Sequence, residues 1–298
     1  MATLRAPRFF GDDVLESCLS GHRIFQGSGD PQETIARIQR ALSDLGFSLS
    51  VDGIFGPETG AAVTSYKTGK GLVPNDPVVG PGTSAALDDD FANELFDAKA
   101  AEFAGTRFDL GARTGSRVDV EDGLALCAFE NGTCIEGGHV RAFLLPAVVF
   151  AAWTTAGGLD GTFGAPVGDP RELDASRSVQ EFAEVAFVFG PTLAFAVSRP
   201  IWEASVAGRS LVGLVTGPSV PVGDDGTTST PHDLGVVLAV PSRSPQAMPQ
   251  AVFDAWSTRT AAGTSPGAPI GFPFPTEAGL VFQFSLGDLT LSGVGTVS

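Results

Sequence analysis

An internal repeat restricts the fold more than any other feature of this chain. Pro146–Trp153 (PAVVFAAW) returns as Pro249–Trp256 (PQAVFDAW). Each copy leads to Gly-Ala-Pro, at 164–166 and 267–269, with 20 residues from the first proline to the last in both. Both continue as hydrophobic-Gly-x-Pro, at 167–170 and 270–273. A degenerate copy lies between them. It runs from Pro200-Ile201-Trp202 to Val220-Pro221-Val222-Gly223-Asp224 and aligns Pro221 with Pro166 and Pro269. Strand-like runs follow each copy, at 185–198, 234–241 and 279–293. Another hairpin, 123–137, precedes the first, with Asn131-Gly132 as its expected two-residue turn. Three units are therefore expected, at 146–198, 200–243 and 249–293, each a short helix, a Gly-Pro loop and strands. One such unit cannot bury its apolar face alone, so the units must pack on each other. Trp153, Trp202 and Trp256, one per unit on an apolar helix face, read as core anchors.

The first hundred residues follow another rule. PQETIARIQRALSDL (31–45) carries Ile35, Ile38, Leu42 and Leu45 on one stripe, the spacing of an amphipathic helix. Asp30 is the expected N-cap, Pro31 suits the first turn, and Gly46 stops the helix. A hydrophobic–hydrophobic–Gly–Pro–x–Thr pattern then occurs twice, at 54–59 and 78–83. In each case a proline opens a helix where its missing N–H costs nothing. Ala62, Val63 and Tyr66 face inward from the first, Ala86 and Leu87 from the second. The preceding segment, PRFFGDDVLESCLSGHRIFQ, reads as a short helix packed on this set, with His22 at the surface and Cys18 buried. All three lysines (Lys67, Lys70, Lys99) lie in these hundred residues, a compositional step that marks a boundary near residue 100.

IQRALSDLGFSLSVDGIFGPETGAAVTSYKTGKGL followed by VVGPGTSAAL resembles the three-helix peptidoglycan-binding domain family over about 32–88. Tyr66-Lys67 stands where that family has an aromatic-Gln pair, and Asn75-Asp76-Pro77 where it has Asp-Gly. Both lie on the loop side where a glycan or stem peptide would rest. The resemblance thus makes Tyr66, Lys67, Asn75 and Asp76 the expected ligand contacts, a polar rim beside an aromatic. The Trp-to-Gly-Ala-Pro copies, best at 149–170, resemble the LGFP repeat of bacterial envelope and secreted proteins over about 146–293. That resemblance implies attachment to the wall.

Charge and motif content exclude other classes. The formal net charge of −16 repels phosphate backbones and anionic membrane surfaces. No apolar run is long enough for a membrane span. The opening Met-Ala-Thr-Leu-Arg-Ala-Pro-Arg has no apolar core, so no ordinary secretory signal is expected. The 3 cysteines, Cys18, Cys127 and Cys134, lack zinc-site spacing. An Asn131-Gly132 turn would set Cys127 diagonal to Cys134 on one hairpin face, as a disulfide or as two buried thiols. The 3 histidines (His22, His139, His232) are widely separated and form no metal set. A Gly-x-Ser-x-Gly elbow is absent, and five residues of strand put Cys134 and His139 on opposite faces.

The expectation is an α+β protein. A small three-helix N-terminal domain at 1–100 precedes a repeat domain of short helices and β-hairpins at 101–298. The leading reading is a non-catalytic protein, with no cofactor, that binds peptidoglycan or another wall glycan and anchors or targets to the bacterial envelope. Without a secretory signal it would reach the envelope or the exterior by a non-classical route, and a retained chain would be cytoplasmic. One alternative is a structural component or cargo of a phage-tail-like contractile particle, with a protein assembly as partner. Another is a wall hydrolase with an unrecognised site in 101–298.

Overall fold

The computed structural model of the chain describes residues 3–120, 124–137, 141–222 and 224–298. Gly123, His139 and Gly223, each part of an expectation above, lie outside these residues, as do Met1 and Ala2. The chain is mixed α+β and divides into two compact units, Met1–Pro146 and Ala147–Ser298.

The first unit opens with helices α1 (Asp13–Leu19), α2 (Gln32–Asp44), α3 (Pro57–Lys70), α4 (Pro81–Phe91) and α5 (Glu94–Glu102). Asp12 caps α1 by accepting from the Leu15 N–H at 3.1 Å. Pro57 and Pro81 each occupy the first turn of their helix, after Gly56 and Gly80. Most of the expected stripes form the core: Ile35, Ile38 and Leu42 meet Val63, Tyr66 and Leu87, with Leu15 and Cys18 from α1, whereas Leu45 falls just past the end of α2 and is exposed. Asp30 is not the cap of α2. Pro31 holds that position without a side-chain bond, and the Asp30 carboxylate instead accepts from Ser28 and pairs with His22.

The buried Gln39 side chain fixes the turn before α3. Its Nε2 donates to Asp52 Oδ1 (2.9 Å), the Ile54 carbonyl (3.0 Å) and Thr59 Oγ1 (3.0 Å). Its Oε1 accepts from the N–H groups of Asp52 (3.1 Å) and Gly53 (2.8 Å). Gly53 is needed here: φ is +72°, and a Cβ would stand 2.8 Å from the Gln32 carbonyl oxygen.

The rest of this unit is an antiparallel sheet in the order β1 (Val118–Asp119), β2 (Leu124–Phe129), β3 (Gly132–Gly137), β4 (Arg141–Pro146). The expected boundary at 100/101 falls inside α5. Phe96 of that helix is fully buried in one cluster with Leu110, Ala125, Phe129 and Leu144. The Arg117 backbone N–H also donates to Asn93 Oδ1 at 3.1 Å, tying the α4–α5 corner to the first strand. The β2–β3 register pairs Phe129 with Gly132, so Glu130-Asn131 forms the turn, not Asn131-Gly132. Cys127 therefore lies directly opposite Cys134 rather than diagonal to it, and both are buried.

The second unit continues through three more copies of helix, loop and sheet. The first is α6 (Ala147–Thr155), a 3₁₀ turn (Gly158–Asp160) and β5 (Arg171–Glu172), β6 (Ser178–Glu181), β7 (Val185–Phe189) and β8 (Ala194–Ser198). The next is α7 (Arg199–Ala207), α8 (Arg209–Val212) and β9 (Val220–Pro221), β10 (Thr228–Pro231), β11 (Gly235–Ala239) and β12 (Gln246–Pro249). The last is α9 (Gln250–Ala261) with β13 (Phe274–Thr276), β14 (Gly279–Phe282) and β15 (Leu289–Leu291). Each sheet is an antiparallel meander. The middle copy carries its strands to Pro249, past the expected end at 243.

Isolated bridges set the alignment of the copies: Pro166 with Phe182, Val215 with His232, Pro269 with Phe284. Val215 is thus the counterpart of Pro166, and the expected match of Pro221 is corrected. Pro221 belongs to β9, the counterpart of β5. The conserved length is from tryptophan to a left-handed glycine, not from proline to proline. Gly164, Gly213 and Gly267 have φ of +69°, +78° and +88° and each lies eleven residues after its tryptophan.

The same geometry appears once more, in the first unit. Arg113 bridges Phe129, Gly111 has φ +69°, and Ala100 stands in the tryptophan position. The N–H of Asn131 donates to the Leu110 carbonyl at 2.9 Å. This bond recurs as Glu184 to Phe163 (3.1 Å), Leu234 to Val212 (2.8 Å) and Leu286 to Pro266 (2.7 Å). Residues 94–146 are therefore a copy without the aromatic anchor.

Candidate functional site

Among the pockets of the helical part of the first unit, one lies at the start of each Gly-Pro helix. The larger, about 520 Å³, lies at the N-terminal end of α3 and is lined by Phe25, Gly56, Pro57, Gly60, Pro77 and Val78 among others. The second, about 260 Å³, lies at the start of α4 and is lined by Arg23, Lys67, Asp76, Val78, Gly80 and Thr83 among others. Val78 lines both.

A short antiparallel bridge makes this face. Ile24 and Val79 exchange both backbone hydrogen bonds at 2.9 Å, and both side chains are fully buried. Alternation along an extended segment then turns Arg23 and Phe25 outward. Phe25 is 45 % exposed at the apolar pocket. Arg23 is exposed beside the polar pocket and has no acidic partner among the described residues. Backbone N–H groups in the first turn of α4 have no helical acceptor, which adds partial positive charge there.

The four expected contacts sit differently. Tyr66 is 2 % exposed in the helical core, and its hydroxyl donates to Asp90 Oδ2 at 2.8 Å. Burial and the neighbouring Asp90 carboxylate raise its pKa well above the ordinary value. Lys67 is 4 % exposed, and its ammonium donates to the Asp76 carboxylate and to the carbonyls of Asp76 and Val78, each carbonyl at 3.2 Å. Its three donors are thus taken by the 76–78 loop. Asn75 Nδ2 donates to Thr68 Oγ1 at 2.8 Å. Lys67 and Asp76 line the polar pocket, Asn75 lies on the neighbouring loop, and Tyr66 is core. Lys67 shapes the pocket by pinning its loop. Arg23, Phe25 and Gln39 were missed in the sequence. The period-2 run Arg23-Ile24-Phe25 was the available signal.

Among the described residues no group of three or more His, Cys, Asp and Glu could hold a metal ion. No helix among them is long and apolar enough to cross a membrane.

Residues 31–87 match the model of the family described as a putative peptidoglycan binding domain. The match covers α2, α3 and most of α4, and includes the residues that build both pockets from α3 and α4. No curated protein matches the chain.

Proposed function

We propose that this chain is a non-catalytic peptidoglycan-binding protein of the bacterial envelope. The observation that carries the reading is the family match over 31–87 together with two pockets at the two Gly-Pro helix starts. Their chemistry suits the polymer. An exposed aromatic, Phe25, offers stacking to a sugar ring or an alanine methyl. The unpaired Arg23 guanidinium and the first turn of α4 offer donors to a stem-peptide carboxylate. The helix–loop–sheet copies resemble the LGFP repeat, and we assign them an anchoring or spacing role at the wall.

Incubation of the purified protein with isolated sacculi tests this reading. The protein should pellet without releasing soluble fragments. Arg23→Ala and Phe25→Ala should each weaken pelleting about three- to tenfold, the loss of one charge-assisted or stacking contact. Soluble fragments would establish a hydrolase instead. Unchanged pelleting of the double variant would remove this face from the site.

A further inference from the structure

The two junctions between copies in the second unit differ in one telling respect. Where the β5–β8 copy meets the next, two arginines fill the seam. Arg171 lies 5.6 Å from the ring centroid of Trp202. Arg177 donates from both Nη atoms to the Asp233 carboxylate, at 3.0 and 2.8 Å, and to the Val215 carbonyl at 3.1 Å. Its Nε also donates to Asp174, in its own turn, at 2.8 Å.

Where the β9–β12 copy meets α9 and its loop, neither arginine is present. The counterpart of Arg171 is Val220, since Arg171 pairs with Val179 as Val220 pairs with Ser229. The counterpart of Arg177 is Thr227: the Arg177 carbonyl accepts from Leu173 N–H, as the Thr227 carbonyl accepts from Val222 N–H. Leu211 and Val206 are likewise replaced by Ser265 and Thr260, each nine and four residues past its tryptophan. These smaller side chains leave a pocket of about 230 Å³, lined by Asp225, Thr227, Trp256, Thr260 and Ser265 among others.

Two of the partners for a cation remain there, the tryptophan and the turn aspartate, while the cations do not; the counterpart of Asp233 is Ser285. Trp256 keeps its place, with its Nε1 donating to Gly267 at 2.9 Å. Asp225 keeps the role of Asp174, accepting a turn N–H (Thr227, 2.9 Å), and its carboxyl is held below the usual range by that bond. Neither Trp256 nor Asp225 has an arginine or lysine partner among the described residues. We propose that this pocket binds a cationic side chain, a guanidinium or ammonium group on a ligand, in the place that Arg171 and Arg177 fill in the sister junction. An indole ring beside a carboxylate suits such a group, the Thr260 and Ser265 hydroxyls, bonded to each other at 2.9 Å, offer it further oxygen acceptors, and the acidic protein attracts it.

The test is a titration of the full-length protein followed by the Trp256 indole N–H resonance, with Trp153 as internal reference. The probes are Nα-acetyl-arginine amide and Nα-acetyl-lysine amide, with acetyl-citrulline amide and acetyl-norleucine amide as neutral isosteres. Both cationic probes should shift the Trp256 signal saturably, at least about fivefold more tightly than the isosteres. Asp225→Asn keeps an acceptor for the Thr227 N–H and should erase that preference. Thr227→Arg should abolish binding by supplying an internal guanidinium. A silent Trp256 signal at saturating probe, equal binding of the neutral isosteres, or an unaltered preference in Asp225→Asn would overturn the proposal.

Discussion

The indole Nε1 of Trp153 donates to the Gly164 carbonyl at 2.9 Å, and Trp256 makes the same bond to Gly267 at 2.9 Å. Each tryptophan therefore does two things. Its ring is buried between helix and sheet, and its N–H closes the loop that follows. The loop can accept this bond because the glycine sits at φ +69° or +88°, a conformation that other residues adopt only with strain. The N–H needs such a partner because a buried indole donor left unpaired is costly.

Trp256→Ala should cost roughly 3–5 kcal/mol, from the lost ring and its cavity. Trp256 shares a cluster with Val236, Leu238 and Met248 of one copy and Phe282 and Leu289 of the next. Amide exchange should therefore accelerate in β11 and β12 as well as β14 and β15. Loosening confined to 250–298 would show that the copies act as separate beads. Trp256→Phe, which keeps most of the ring and loses the bond, should cost about 1–2 kcal/mol.

The copies that carry a tryptophan and Gly-Ala-Pro were legible because both are local signals. The copy at 94–146 was not. Ala100 replaces the tryptophan, and Arg113 stands where two other copies have proline. What remains is a left-handed glycine, a bridge and the Asn131–Leu110 backbone hydrogen bond, and the last two are invisible in sequence. The middle copy was misaligned for a related reason: Gly213-Leu214-Val215 replaces Gly-Ala-Pro, so the next proline attracted the match. In the helical part, turn chemistry fixed the elements well. The ligand face was harder to see, because Arg23 and Phe25 reach it through the pairing of Ile24 with Val79, far along the chain. Tyr66 and Lys67 looked like a polar rim, yet α3 turns both inward.

Gln39→Leu should destabilise the helical part of the first unit. The substitution strands the buried N–H of Gly53 and removes the acceptor of the Asp52 N–H. With Thr59 and Ile54 also losing a partner, the cost should be about 2–4 kcal/mol. Amide exchange of residues 32–70 should show it, with 147–298 unchanged.

Two glycines four residues or fewer apart in the same turn should behave oppositely. Gly53→Ala forces a Cβ to φ +72°, 2.8 Å from a backbone oxygen, and should cost roughly 1–3 kcal/mol. Gly56 has φ −95°, and a Cβ there meets nothing within 4 Å. Gly56→Val should thus leave the melt nearly unchanged, while its side chain enters the larger pocket and lowers pelleting with sacculi. A large loss of stability in Gly56→Val would show that the turn tolerates no side chain.

Residue 1–146 is the fragment expected to fold alone, because it matches the first compact unit. A fragment ending at residue 100 would remove the sheet that buries Phe96. Circular dichroism melts should therefore be cooperative for 1–146 and broadened for 1–100. Equal cooperativity would show that α5 needs no sheet.

His232 occupies the position that Phe129, Phe182 and Phe284 hold in the other copies. It is 6 % exposed, with Nδ1 bonded to the Thr230 carbonyl and Nε2 to Ser205 Oγ, both at 2.9 Å. Burial lowers its pKa below the ordinary 6.5; the Thr230 bond and Asp233 oppose that shift, and Arg177 adds to it. The native state then binds this proton less readily than the unfolded chain does. Stability from this group is complete above about pH 6.5 and falls as pH drops below it, by at most about 1.4 kcal/mol per pH unit. The carboxylates of Asp174, Asp225 and Asp233, whose pKa values are also lowered, lose their contributions only in a more acid window, below their ordinary 3.8. Denaturant midpoints measured from pH 7.5 to 5 should therefore decline in the native protein and stay nearly level in His232→Phe. Ser205 in that variant keeps its bond to the Ile201 carbonyl (2.8 Å), so no buried hydroxyl is stranded. Parallel declines in the two proteins would assign the acid limb to other groups.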